Sequence, residues 1–97
     1  MILAYGTTTV STAGTEQQLS NTTNRVMWLK VKALAANSGK AYFGLNGLTS
    51  GTGYELSAGN ELEINFSDIG GSILFSTLYV DVATNGDKVS WVAVVDG

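Results

Sequence analysis

The chain has 97 residues, 44% of them apolar and only 13% charged, with a net charge of −3 and a pI near 4.5. That length suits one domain, and the low charge with ample Val, Leu, Thr and Gly argues against disorder. There is no Cys and no His, which excludes disulfides, Cys- or His-ligated metal, and any Ser-His or Cys-His nucleophile. The acidic balance argues against nucleic acid as a partner.

Residues 1 to 6 are apolar and short, an edge strand or an arm. They show neither a basic n-region nor a long apolar core, so no signal peptide is expected. No apolar run approaches the ~20 residues of a membrane helix. The expectation is a chain made and kept in solution. Residues 7 to 24, TTTVSTAGTEQQLSNTTN, favour extended structure and show no helical period. A strand from Gly6 to Thr12 followed by a loop is predicted, with a helical turn over Glu16 to Leu19 as the alternative. Residues 1 to 24 together form an N-terminal arm or edge segment of a single 1–97 domain.

Arg25 to Ala35, RVMWLKVKALA, alternates around two lysines and reads as a strand rather than a helix. Met27, Leu29, Val31, Ala33 and Ala35 take the core face; Val26, Trp28, Lys30, Lys32 and Leu34 take the other. After a turn at Asn37-Ser38-Gly39, Lys40 to Leu45 is a strand with Ala41, Phe43 and Leu45 on one side and Tyr42 on the other. Loops at Asn46-Gly47 and residues 50–53 lead to a short strand at Tyr54 to Leu56 and a tight turn at residues 57–60. Glu61 to Phe66 alternates cleanly, Leu62, Ile64 and Phe66 inward and Glu61, Glu63 and Asn65 outward. Residues 67–72, SDIGGS, break the pattern. Ile73 to Phe75 would open the long strand that enters the last feature.

That feature is Ser76 to Val95, STLYVDVATNGDKVSWVAVV. Asn-Gly is the preferred pair for a two-residue type I′ turn, which predicts a C-terminal β-hairpin closed on Asn85-Gly86. Its register would set Thr84 against Asp87, Val82 against Val89, Val80 against Trp91 and Leu78 against Ala93. One face is then wholly apolar. The other carries Thr77, Tyr79, Asp81, Ser90, Val92 and Val94, with Asp81 opposite Ser90. Six to eight strands, regular turn signals and no convincing helix predict an all-β fold, a single small β-sandwich or jelly-roll-like barrel.

Sites of chemistry are sparse. Glu61 and Glu63 lie roughly 7 Å apart along one strand face, a glycosidase-like spacing, but they read better as a solvated outer face. Asp81, Asn85 and Asp87 brush the calcium-loop pattern, yet Ala83 and Val92 stand where two further acids belong, so no EF-hand forms. Trp28 with Lys30 and Lys32 resembles a single-strand nucleic-acid grip, but two lysines snorkelling around a half-buried tryptophan explain it better in an acidic chain. No catalytic, cofactor or metal residue is assigned. The surplus is apolar: Trp28, Val26 and Leu34 on one outward face, and Tyr79, Val92 and Val94 on another. Exposed apolar patches mark interaction sites, and Trp28, Tyr79, Val92 and Val94 are the candidate interface residues.

The strings YELSAGNELEINF and LYVDVATNGDKVSWVAV, with KALAANSGKAYFGLNGL upstream, resemble small virion proteins of tailed bacteriophages over about residues 25 to 95. The likeness lies in the turn Leu56-Ser57-Ala58-Gly59 and in Tyr79-Val80, Ala83, Gly86 and Val89-Ser90-Trp91. It implies a capsid decoration or cement subunit, a homo-oligomer with a trimer favoured at three-fold positions, bound to the major capsid protein on the virion surface. The alternative is a tail or head-fibre module that binds a host glycan or surface protein through loop aromatics such as Tyr42 or Tyr54. The resemblance brings no catalytic residue and no cofactor.

Overall fold

Period-2 alternation of apolar residues gives strands with one buried face, and two such sheets must close on each other. The computed structural model describes residues 2–96, so Met1 and Gly97 of the expected domain lie outside it. Nine strands form: β1 (Ile2–Thr9), β2 (Gln17–Gln18), β3 (Arg25–Ala33), β4 (Ala41–Leu45), β5 (Tyr54–Leu56), β6 (Glu61–Asn65), β7 (Ile73–Leu74), β8 (Leu78–Val82) and β9 (Lys88–Val95). They make two antiparallel sheets, ordered β1-β9-β3-β6 with β7 also on β3, and β2-β8-β4-β5. The fold is all-β and sandwich-like, as expected, and the sheets do not close into a barrel. Glu16 to Leu19 is not helical: Gln17 and Gln18 pair with β8.

The expected C-terminal hairpin does not form. β8 pairs with β4 and β2, whereas β9 pairs with β1 and β3. A type I′ turn needs φ > 0 at both central residues, but only Gly86 has it, at 84°, and Asn85 does not. Residues 83–87 instead carry the chain from one sheet to the other. Val10 clamps this arch, accepting from Gly86 N (2.8 Å) and donating to Asp87 O (3.1 Å). The upstream end crosses too: β7 belongs to the first sheet, and a 3₁₀ turn at Phe75–Thr77 leads into β8 of the second. The face assignment nevertheless holds. Leu78, Val80, Val82, Val89 and Ala93 are buried, because the two strands meet face to face across the core instead of edge to edge.

A β-bulge corrects the reading of β3. The register with β9 shifts between Val26 and Trp28, so Val26, expected outward, turns inward and is fully buried. Beyond it the alternation is as read, with Leu29, Val31 and Ala33 in the core. Leu45, expected on the core side of β4, is 56% exposed at the strand's end.

Trp91 fills the edge of the core under β1. Its ring meets Phe75 edge-on, centroids 4.8 Å apart at 73°, and its Nε1 donates to Thr8 Oγ1 at 3.3 Å. Gly6 pairs with Trp91, and a Cβ there would stand 2.9 Å from Trp91 Cζ2. Moving the ring aside would give up its contacts with Phe75 and Thr8. Gly6→Val should therefore lower stability by about 1–3 kcal/mol through overpacking, read by urea denaturation, although valine favours strands elsewhere.

Candidate assembly interface

The outer face of the first sheet can be built row by row from its registers. Leu3, Val94, Trp28 and Asn65 form one row, Tyr5, Val92, Lys30 and Glu63 the next, and Thr7, Ser90, Lys32 and Glu61 the third. Side chains opposite one another on a face lie close enough to touch. The first row and half of the second are thus one apolar strip, while the far corner is charged. Trp28, Val92 and Val94 are half-buried, whereas Leu3 is 62% and Tyr5 79% exposed.

Three of the four predicted interface residues therefore meet. Tyr79 does not join them. It lies on the second sheet between Gln18 and Gly44, since the hairpin that would have set it beside Val92 and Val94 does not exist. Asp81 and Ser90 are separated for the same reason. Leu3 and Tyr5 belong to the strip and were missed as site residues. Their signal was present: alternating large apolar residues in an uncharged N-terminal stretch.

β1 is also an open edge. One side pairs with β9 without interruption over eight residues, and the other has no partner strand among the described residues. Proteins usually guard such edges with charge, proline or a bulge. β1 has no charged residue and no proline, and its register is unbroken. The opposite edge differs: β6 carries Glu61 and Glu63.

Those carboxylates are engaged on the sheet surface. Glu63 Oε2 accepts from Trp28 Nε1 at 2.8 Å, and Lys30 Nζ lies 3.2 Å from Glu61 Oε1. The lysines beside Trp28 thus face acids across the strand, and the face presents no uncompensated basic stripe. On the second sheet Lys40 bonds Glu55 at 2.8 Å. The hydrogen bond and charge of Glu55 raise the Lys40 pKa above its ordinary 10.5. Both side chains are about half exposed, 50% and 53%, so the pair contributes little to stability, and the raised pKa keeps the ammonium charged further into alkali.

The calcium-like string resolves into loop anchors. Asp87, only 7% exposed, accepts from Ser38 N (3.1 Å) and Gly39 N (2.9 Å). Asn85 Oδ1 accepts from Ala13 N (2.7 Å), and Asp81 Oδ1 from Gly14 N (3.0 Å) and Val82 N (2.8 Å). Asp81 and Asn85 both tie down the loop at residues 13–14 and Asp87 the turn at residues 38–39, so all three act as backbone anchors, and no cluster of three or more acids suited to a metal occurs among the described residues. Of the two loop aromatics considered for glycan contact, Tyr54 is 57% exposed and Tyr42 only 8%.

Comparison with protein-family models, curated proteins and solved structures gives no match.

Removing the Asp87 carboxylate strands two N–H groups. Asp87→Ala should cost about 1–3 kcal/mol in a denaturant melt, and millimolar calcium should leave the wild-type midpoint where it was.

Proposed function

We propose that this chain is a small structural subunit of a tailed-phage virion, a capsid decoration or cement protein that acts by surface contact and catalyses nothing. The observation that carries the reading is the apolar strip of Leu3, Tyr5, Val92, Val94 and Trp28, continuous with the unguarded edge β1. A soluble monomer has little reason to keep large apolar side chains together beside open backbone groups; a subunit completed by a neighbour does. The turn-and-strand likeness to small phage virion proteins supports the same class. In this reading the partners are further copies of the chain and the major capsid protein, the place is the capsid surface, and the subunit is made in the host cytoplasm. A trimer at three-fold positions suits capsid symmetry. The fibre-module alternative rests on the exposed Tyr54 alone.

Sedimentation over a concentration series tests the assembly step. Wild type should run at a multiple of 10.1 kDa, while a Leu3→Glu/Tyr5→Glu double variant should run as a monomer with an unchanged circular dichroism spectrum, because both side chains lie mostly in solvent, and its denaturation midpoint should lack the concentration dependence of wild type. A wild-type chain that stays monomeric at high concentration would remove the basis for self-assembly. A gene neighbouring that of a major capsid protein would favour cement over fibre.

A further inference from the structure

The second sheet carries a different feature on its outer side. Strand alternation points Asp81 outward from β8, opposite Tyr42 of β4, yet Asp81 is only 3% exposed. Flanking loops wall it in. Ala13, Gly14, Tyr42, Leu48, Ser50 and Asp81 are among the residues lining a cleft of about 450 Å³.

Oδ1 of Asp81 is fully used by the two N–H groups of Gly14 and Val82. Oδ2 has no hydrogen bond among the described residues. No fully buried side-chain oxygen there lacks a partner, so Oδ2 must reach solvent, and the cleft is its opening. No cation answers the charge: the ion pairs among the described residues are Lys30–Glu61 and Lys40–Glu55, and none of the lining residues is basic. Oδ2 is thus a free charged acceptor at the mouth of the cleft, which an ammonium group can take in place of water.

We propose that this cleft receives the ammonium group of a lysine side chain from a partner protein. Leu48, Val82 and Ala83 offer apolar wall to the methylene stem, and Oδ2 takes the charged head. Arginine fits less well, because its fork seeks two carboxylate oxygens and one is already committed. A metal ion is poorly served: calcium takes six to eight oxygens, and Thr49 Oγ1 is occupied with Thr52 and Gly51. A sugar hydroxyl would leave the charge uncompensated.

The test is NMR titration of the labelled full chain with blocked tripeptides carrying lysine, arginine or norleucine between two glycines. The lysine peptide should shift the Gly14 and Val82 amides saturably; arginine should bind more weakly, and norleucine, which keeps the stem without the charge, about tenfold or more weakly. Asp81→Asn keeps the Oδ1 acceptor and should lose the binding. Ser50→Lys, at an exposed position on the cleft rim, should abolish it by supplying the ammonium in cis while leaving Asp81 in place, which covers the case of an unfolded Asp81→Asn. Equal responses to lysine and norleucine, no saturable shift, or the same amides answering to methyl glucoside or calcium instead would overturn the proposal. The cleft lies on the other sheet from the apolar strip, so titrating the Leu3→Glu/Tyr5→Glu variant reads it whether or not copies associate.

Discussion

The fold depends on how the chain passes between its two sheets, above all at the arch of residues 83–87. Apolar faces on β8 and β9 create the need for it. In a hairpin both would lie on the same side of one sheet and would have to find cover elsewhere. Set in opposing sheets, Val80 and Val82 face the layer that holds Val89 and Ala93, and each buries the other. The arch must then be held from outside, since it lacks the ladder of a hairpin. Val10 holds it through two backbone hydrogen bonds, and Asp87 fixes the adjoining loop through Ser38 and Gly39. A carboxylate with two N–H donors can be buried without being left unsatisfied, which is why an acid sits in the arch at all.

Which face of each strand is buried was readable from the sequence; which strand lies beside it was not. Period-2 alternation reports the inward side of β3, β6, β8 and β9 wherever the pairing is regular, because burial acts on each residue separately. It is silent about neighbours, since the same alternation suits a hairpin and an arch. Asn85-Gly86 tipped the reading toward the hairpin on local turn preference, and long-range burial overrode that preference. The bulge at Val26 was equally invisible: it changes a residue's face without changing the residue. Tyr79 was assigned to the wrong patch for the first reason and Val26 to the wrong face for the second.

The same two corrections redistribute the apolar surplus. The bulge removes Val26 from the surface, and the arch removes Tyr79 from the company of Val92 and Val94. What remains is gathered toward the end of the first sheet where β1 begins, with Leu3 and Tyr5 extending it to an open edge. The opposite corner of that face holds Lys30, Lys32, Glu61 and Glu63, with one lysine–glutamate contact at 3.2 Å. Exposed pairs of this kind contribute little to stability. Their effect is on docking: a neighbour seated on the apolar rows meets alternating charge at one margin, which favours one orientation over its reverse.

Asp81, Asn85 and Asp87 show how one short string can look like a metal loop and be something else. A cation site needs free oxygens, whereas most of these are spent on backbone N–H groups: Asp81 and Asn85 on the adjacent Gly14 and Ala13, Asp87 on Ser38 and Gly39. Once those donors are counted, both oxygens of Asp87 and one of Asp81 are occupied. The single oxygen left over is the chemically informative one, because it opens on the cleft with no cationic side chain beside it. A fold that needed only the Gly14 anchor could have used asparagine at that position, whose amide oxygen accepts the same N–H groups with no charge to bury. The carboxylate's charge is therefore the part that anchoring does not explain, and the cleft in front of it is where an explanation has room to bind.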